Sequence, residues 1–87
     1  MYYFLIVFSS RSESVGFDRL LKIKGISSAL VTTPRECMTG CGLSVKVYPN
    51  SIEKAEFILR NYDRKSTLRG IFRVEKQGIN SVIKRVK

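Results

Sequence analysis

Histidine is absent from this chain, so no scheme of catalysis or metal binding can use imidazole. The acidic side chains number only seven and are scattered, which gives paired-carboxylate catalysis no support. No Gly-rich loop runs into a helix with a Lys-Ser/Thr pair, so a phosphate loop finds no support either. Two cysteines without histidine cannot close a four-ligand zinc site in one chain. A four-thiolate site would need two chains. The apolar stretch Tyr2 to Phe8 is too short to span a membrane, and no basic segment precedes it as in a secretory signal. There is no internal repeat, linker or low-complexity stretch.

What is present is equally specific. The 87 residues suit one domain with a single core, and 44% hydrophobic with 26% charged residues is ordinary for a globular protein. Sixteen Lys and Arg against seven acids leave a net charge of +9. The excess is concentrated late in the chain, in Arg60, Arg64, Lys65, Arg69, Arg73, Lys76, Lys84, Arg85 and Lys87. It can draw anionic partners or simply keep the surface solvated. Two close cysteines are unlike a secreted disulfide framework, so a reducing cytoplasm is the expected compartment.

Both thiols lie in one short connection, Cys37-Met38-Thr39-Gly40-Cys41-Gly42. Turn-forming Thr32-Thr33-Pro34-Arg35-Glu36 precedes it. Leu43 to Tyr48 follows and alternates like a strand. If the protein does chemistry, sulfur at Cys37 and Cys41 is its natural seat. The plainer reading is two small hydrophobes and a turn, with Gly42 serving a bulge.

The rest of the chain reads as alternating elements. Tyr2 to Phe8 is apolar throughout, the mark of a strand buried on both faces. Ser10 with Glu13 has capping-box spacing. Phe17, Leu20 and Leu21 then form one apolar helix face, and Gly25 ends that helix. Ser28 to Thr32 is a second strand and Gly42 to Tyr48 a third. Asn50 with Glu53 suggests a cap for a second helix, whose inner face is Ile52, Ala55, Ile58 and Leu59. Leu68 to Val74 is a fourth strand. The βαββαβ order predicts an α+β fold, a ferredoxin-like plait with a four-stranded antiparallel sheet and both helices on one face. Residues 1–76 form that domain. Residues 77–87 form a basic C-terminal tail, in which Ile79, Val82, Ile83 and Val86 are spaced as the stripe of a short amphipathic helix. The open face of such a sheet is often covered by a partner or a second copy, so a homodimer is one expectation.

Tyr3-Phe4-Leu5-Ile6-Val7-Phe8-Ser9-Ser10, then Thr33-Pro34-Arg35 and Cys41-Gly42-Leu43-Ser44-Val45-Lys46, resembles a family of small bacterial proteins described as selenium/sulfur carrier-like. The resemblance covers Tyr2 to Val74. It is most specific in the Thr-Pro-Arg turn set a few residues before Cys-Gly at the head of a strand. It implies that Cys41 is the family's Cys-Gly cysteine and that Cys37 is an addition to the motif. A carrier of this kind takes the terminal sulfur or selenium of a donor protein's persulfide and holds it for an acceptor protein. It is a carrier more than an enzyme and needs no cofactor.

The residues suit such a role in distinct ways. A cationic neighbour favours thiolate, and Arg35 is the nearest in sequence. Gly40 and Gly42 flank Cys41, which permits positive φ and close approach of a partner. Cys37 could resolve a persulfide or pair with Cys41, since a tight turn can bring Cα atoms within about 7 Å. Two rival readings stand. Paired thiolates suit a soft metal such as Cu(I), or thiol redox exchange. Copper chaperones of the plait fold, however, carry their cysteines in the first βα loop, which here is Ser9-Ser10-Arg11-Ser12. An RRM-like nucleic-acid module shares the element order and basic charge. Its third strand should be rich in aromatics, and Leu43 to Tyr48 is not. Tyr2, Tyr3 and Phe4 could stack on bases only from the open side of the sheet. Nucleic acid therefore ranks below the thiol readings.

Overall fold

The computed structural model describes residues 1–37, 42–62 and 67–87. In chain order its elements are β1 (Tyr2–Phe8), α1 (Arg11–Ile23), β2 (Ser28–Thr32), a 3₁₀ turn (Arg35–Cys37) and β3 (Leu43–Val47). A second 3₁₀ turn (Pro49–Ser51), α2 (Ile52–Arg60), β4 (Leu68–Gln77) and β5 (Asn80–Arg85) follow. All strand pairs are antiparallel, in the order β2-β3-β1-β4-β5. Among the described residues, no helix is long and apolar enough to cross a membrane.

The central strand forms as its composition dictates. β1 lies between β3 and β4, and Leu5, Ile6, Val7 and Phe8 are all buried because both faces of the sheet are covered there. α1 starts where Ser10 Oγ accepts the Glu13 amide, and Gly25, at φ +79°, lies just beyond its end. Glu13 does something further. Its carboxylate accepts the Thr67 amide at 3.2 Å and the Thr67 hydroxyl at 2.8 Å, tying the first turn of α1 to the approach of β4. α2 departs from the Asn50–Glu53 reading. Pro49–Ser51 forms a 3₁₀ turn, and Ser51 precedes the helix without a side-chain cap bond.

The fold is α+β, but the expected four-stranded ferredoxin-like plait is corrected to a five-stranded sheet. The tail expected as an amphipathic helix is a strand. β4 runs on to Gln77, and β5 turns back along it with Gln77 opposite Asn80. The two residues between them, Gly78 at φ +64° and Ile79, make a hairpin loop with the glycine first, the arrangement of a type II′ turn. So short a segment gains little as an isolated helix. Pairing with β4 satisfies backbone groups on both strands, and β-branched Val82 and Ile83 suit it. The C-terminal residues extend the seam. Ile71 N–H donates to the Lys87 carbonyl at 3.1 Å, and Lys87 Nζ meets Glu56 of α2 at 2.7 Å.

Two apolar layers flank the sheet. On one side Phe17 and Leu21 of α1 and Ala55 and Leu59 of α2 pack on Ile6, Phe8, Val45, Val47 and Ile71. On the other, Leu5, Val7 and Val74 form a smaller cluster with Cys37. Gly70 lies opposite Val7. A Cβ there would stand 2.9 Å from both Arg85 Nε and the Lys87 carbonyl. Gly70→Ala is therefore expected to cost about 1–3 kcal/mol, through strain at its positive φ and displacement of the C-terminal segment. Urea denaturation measures it, and an unchanged midpoint would show that the segment yields freely.

Candidate functional site

The segment holding both cysteines leaves and rejoins the sheet at a single point. β2 and β3 pair up to Thr32 and Leu43. One step further the Thr33 amide donates to the Gly42 carbonyl at 3.0 Å, closing the neck of the connection. Inside the neck the hydroxyls of Thr33 and Ser44, both buried, are 2.6 Å apart. A buried hydroxyl without a partner is costly, so each of these requires the other. From the helix side, Ser14 Oγ donates to the Leu43 carbonyl at 3.0 Å. The N-terminal turn of α1, the positive end of its dipole, is thus tied to the strand two residues past Cys41.

Pro34 starts the turn, and the Cys37 amide donates back to the Pro34 carbonyl at 2.9 Å. The turn folds down onto the face away from the helices. There Cys37, only 2% exposed, packs with Leu5, Val7 and Val74. Arg35 is exposed in the same turn. Gly42 is also exposed, lies outside the left-handed region, and a Cβ on it would meet nothing within 4 Å. Gly40 and Cys41 lie outside the described residues. The structure thus brings Arg35 and Cys37 into one 3₁₀ turn and Thr33 against Gly42.

The sequence places Thr33 in a turn and Ser44 in a strand but does not show the bond between them, and it gives Ser14 no role. A signal existed for Ser44. It stands between Leu43 and Val45 in a strand, and a small hydroxyl at such a position needs a partner when its face is covered. Its partner lies across the connection, which spacing alone does not show.

Two other features bound the site. Among the described residues no three His, Cys, Asp or Glu side chains converge as metal ligands. A hollow of about 630 Å³ opens between the end of α1 and α2, walled by Ile26, Ile58 and the largely exposed Phe57. β2 starts opposite Val47 and ends opposite Leu43, so this hollow is at the far end of the sheet from the cysteine connection.

The family model described as "Putative Se/S carrier protein-like" matches residues 2–72, and the chain belongs to that family. The match spans both Thr33-Pro34-Arg35 and Cys41-Gly42. No curated protein and no solved structure matches the chain.

Proposed function

We propose that the protein carries sulfur or selenium on Cys41, as a persulfide or selenopersulfide, between a donor protein and an acceptor protein. The observation that carries this reading is the family match across both halves of the cysteine connection. The closed neck supports it, because the Thr33–Gly42 and Thr33–Ser44 bonds fix both ends of the cysteine connection together at one end of the sheet. In the loading step the Cys41 thiolate attacks the outer sulfur of the donor's persulfide. A new S–S bond forms on Cys41, the donor's S–S bond breaks, and the donor leaves as a thiolate. In delivery an acceptor thiolate attacks the terminal sulfur and Cys41 departs as thiolate. Each step is thiol exchange and consumes no external oxidant or reductant. The reducing cytoplasm, where thiols persist, suits this exchange.

Within this reading the other residues divide the work. Arg35 and the N-terminal turn of α1 supply positive potential near the root of the loop, which favours thiolate. Gly40 and Gly42 leave room for a partner's backbone. Cys37 anchors the turn by its burial and reacts only if the turn lifts from the sheet.

Alkylation in the folded protein tests the assignment. With iodoacetamide at neutral pH, Cys41 should label faster than a free thiol, and Cys37 should label only under denaturant. Arg35→Ala should slow Cys41 labelling several-fold, because it removes the only positive charge in the connection between β2 and β3. Slow labelling of Cys41 in the native protein would sink the carrier reading.

A further inference from the structure

We infer that the helix-free face of the sheet, below the Cys37 turn, binds single-stranded nucleic acid. The registers place Tyr3, Leu5 and Val7 of β1 on this face with Lys46 of β3, Phe72 and Val74 of β4, and Ile83 of β5. The Cys37 turn covers the end near Val7. Toward the other end the face is open and carries Tyr3, Lys46, Tyr48 and Lys76. Phe72 and Arg85 lie level with Leu5, and Arg85 Nε donates to the Lys87 carbonyl at 3.0 Å beside Gly70. The Lys46 ammonium sits 4.5 Å from the Tyr3 ring centroid and 5.2 Å from that of Tyr48. Tyr48 is 37% exposed, Tyr3 and Phe72 are half-buried, and Lys76 and Arg85 are exposed.

Among the described residues, charge on this face has one sign. The acids whose side chains are described lie elsewhere. Glu13 and Asp18 are on α1, and Glu53 and Glu56 are on α2. Glu75 points to the opposite side of β4, where it pairs with Arg73 at 3.5 Å. Among the described residues, Lys46 and Lys76 form no ion pair. An all-cationic face on a chain of net charge +9 repels a second copy of itself. An acidic protein would satisfy the cations but has no use for three aromatic rings set among them. A single strand uses both, with unpaired bases on the rings and phosphates on the lysines and arginine. A duplex hides its base faces, so a flat aromatic sheet does not suit it. β3 itself, Leu43–Val47, holds no aromatic residue. The rings instead come from β1, from Tyr48 just past β3 and from β4, and only the sheet order brings them together.

Titration of the full chain with a short fluorescein-labelled single-stranded RNA tests this. Binding should be sequence-tolerant and stronger than to a duplex of equal length. Contacts from Lys46, Lys76 and Arg85 give a log–log salt slope of about −2, at roughly −0.7 per phosphate on a single strand. Tyr48→Ala should weaken binding about fivefold or more. Lys46→Gln should weaken it and flatten the salt slope by about 0.7. Both positions are at or near the surface, and circular dichroism checks that the variants fold. Cys41 alkylation should be unaffected by Tyr48→Ala, which separates this surface from the thiol chemistry. Absence of binding near physiological salt would overturn the inference. So would equal affinity for the duplex, or a Tyr48→Ala variant that binds as well as the parent. Polyglutamate competing as effectively as RNA would assign the face to an acidic protein, and a dimer that buries Tyr48 would assign it to a second copy.

Discussion

Cys41→Ser should yield a protein that folds normally and takes up no sulfur. The parent chain, incubated with a low-molecular-weight persulfide donor and measured intact, should gain the mass of one sulfur that reductant removes. The serine variant should gain none, because an alcohol is almost wholly protonated at neutral pH and does not attack sulfane sulfur at a useful rate. Cys37→Ser provides the contrast. It places a hydroxyl among Leu5, Val7 and Val74, where a buried polar group costs about 1–3 kcal/mol. It should lower the melting temperature yet still load wherever it remains folded. If Cys41→Ser loads as well as the parent while Cys37→Ser does not, the roles of the two cysteines are reversed. If neither parent nor variant loads, the carrier assignment falls.

Phe17→Ala should come close to unfolding the protein. Phe17 is fully buried, with its ring 5.7 Å from Phe8 and 5.1 Å from Tyr62. It joins α1 to the central strand and to the residues after α2. Truncating such a ring costs about 3–5 kcal/mol through lost burial and the cavity left behind. A domain of this length has about 4–13 kcal/mol in total, at the usual stability per residue. A fall in melting temperature of about 15 °C or more is therefore expected by calorimetry. A fall of only a few degrees would mean that Phe8 and Tyr62 close over the gap. Because Glu13 and Ser14 lie on the same helix turn that meets Thr67 and the Leu43 carbonyl, loosening α1 should also speed alkylation of Cys37.

Local patterns in the chain were sufficient for β1, for both ends of α1 and for the placing of the cysteines between two strands. Each of these depends on residues near one another in sequence: an unbroken apolar run, Ser10 with Glu13, Gly25. The C-terminal segment was not legible in this way. Ile79, Val82, Ile83 and Val86 have helical spacing, but Val82 and Ile83 also suit a strand, and Gly78-Ile79 is a two-residue hairpin signal. Periodicity in so short a stretch fits both readings. The open edge of β4 decides between them, and that edge is a property of the sheet.

The site divides along the same line. Sequence by itself determined which atoms are available: two thiols, no imidazole, an arginine and glycines in one connection, and a large excess of positive charge. Tertiary structure alone decided that Cys37 is packed away, that Thr33 and Ser44 close the neck, and that Tyr3, Lys46 and Tyr48 share one face. Chemical identity is written residue by residue. Burial and partnership arise when strands distant in the chain are laid side by side, and the order β2-β3-β1-β4-β5 sets which side chains meet.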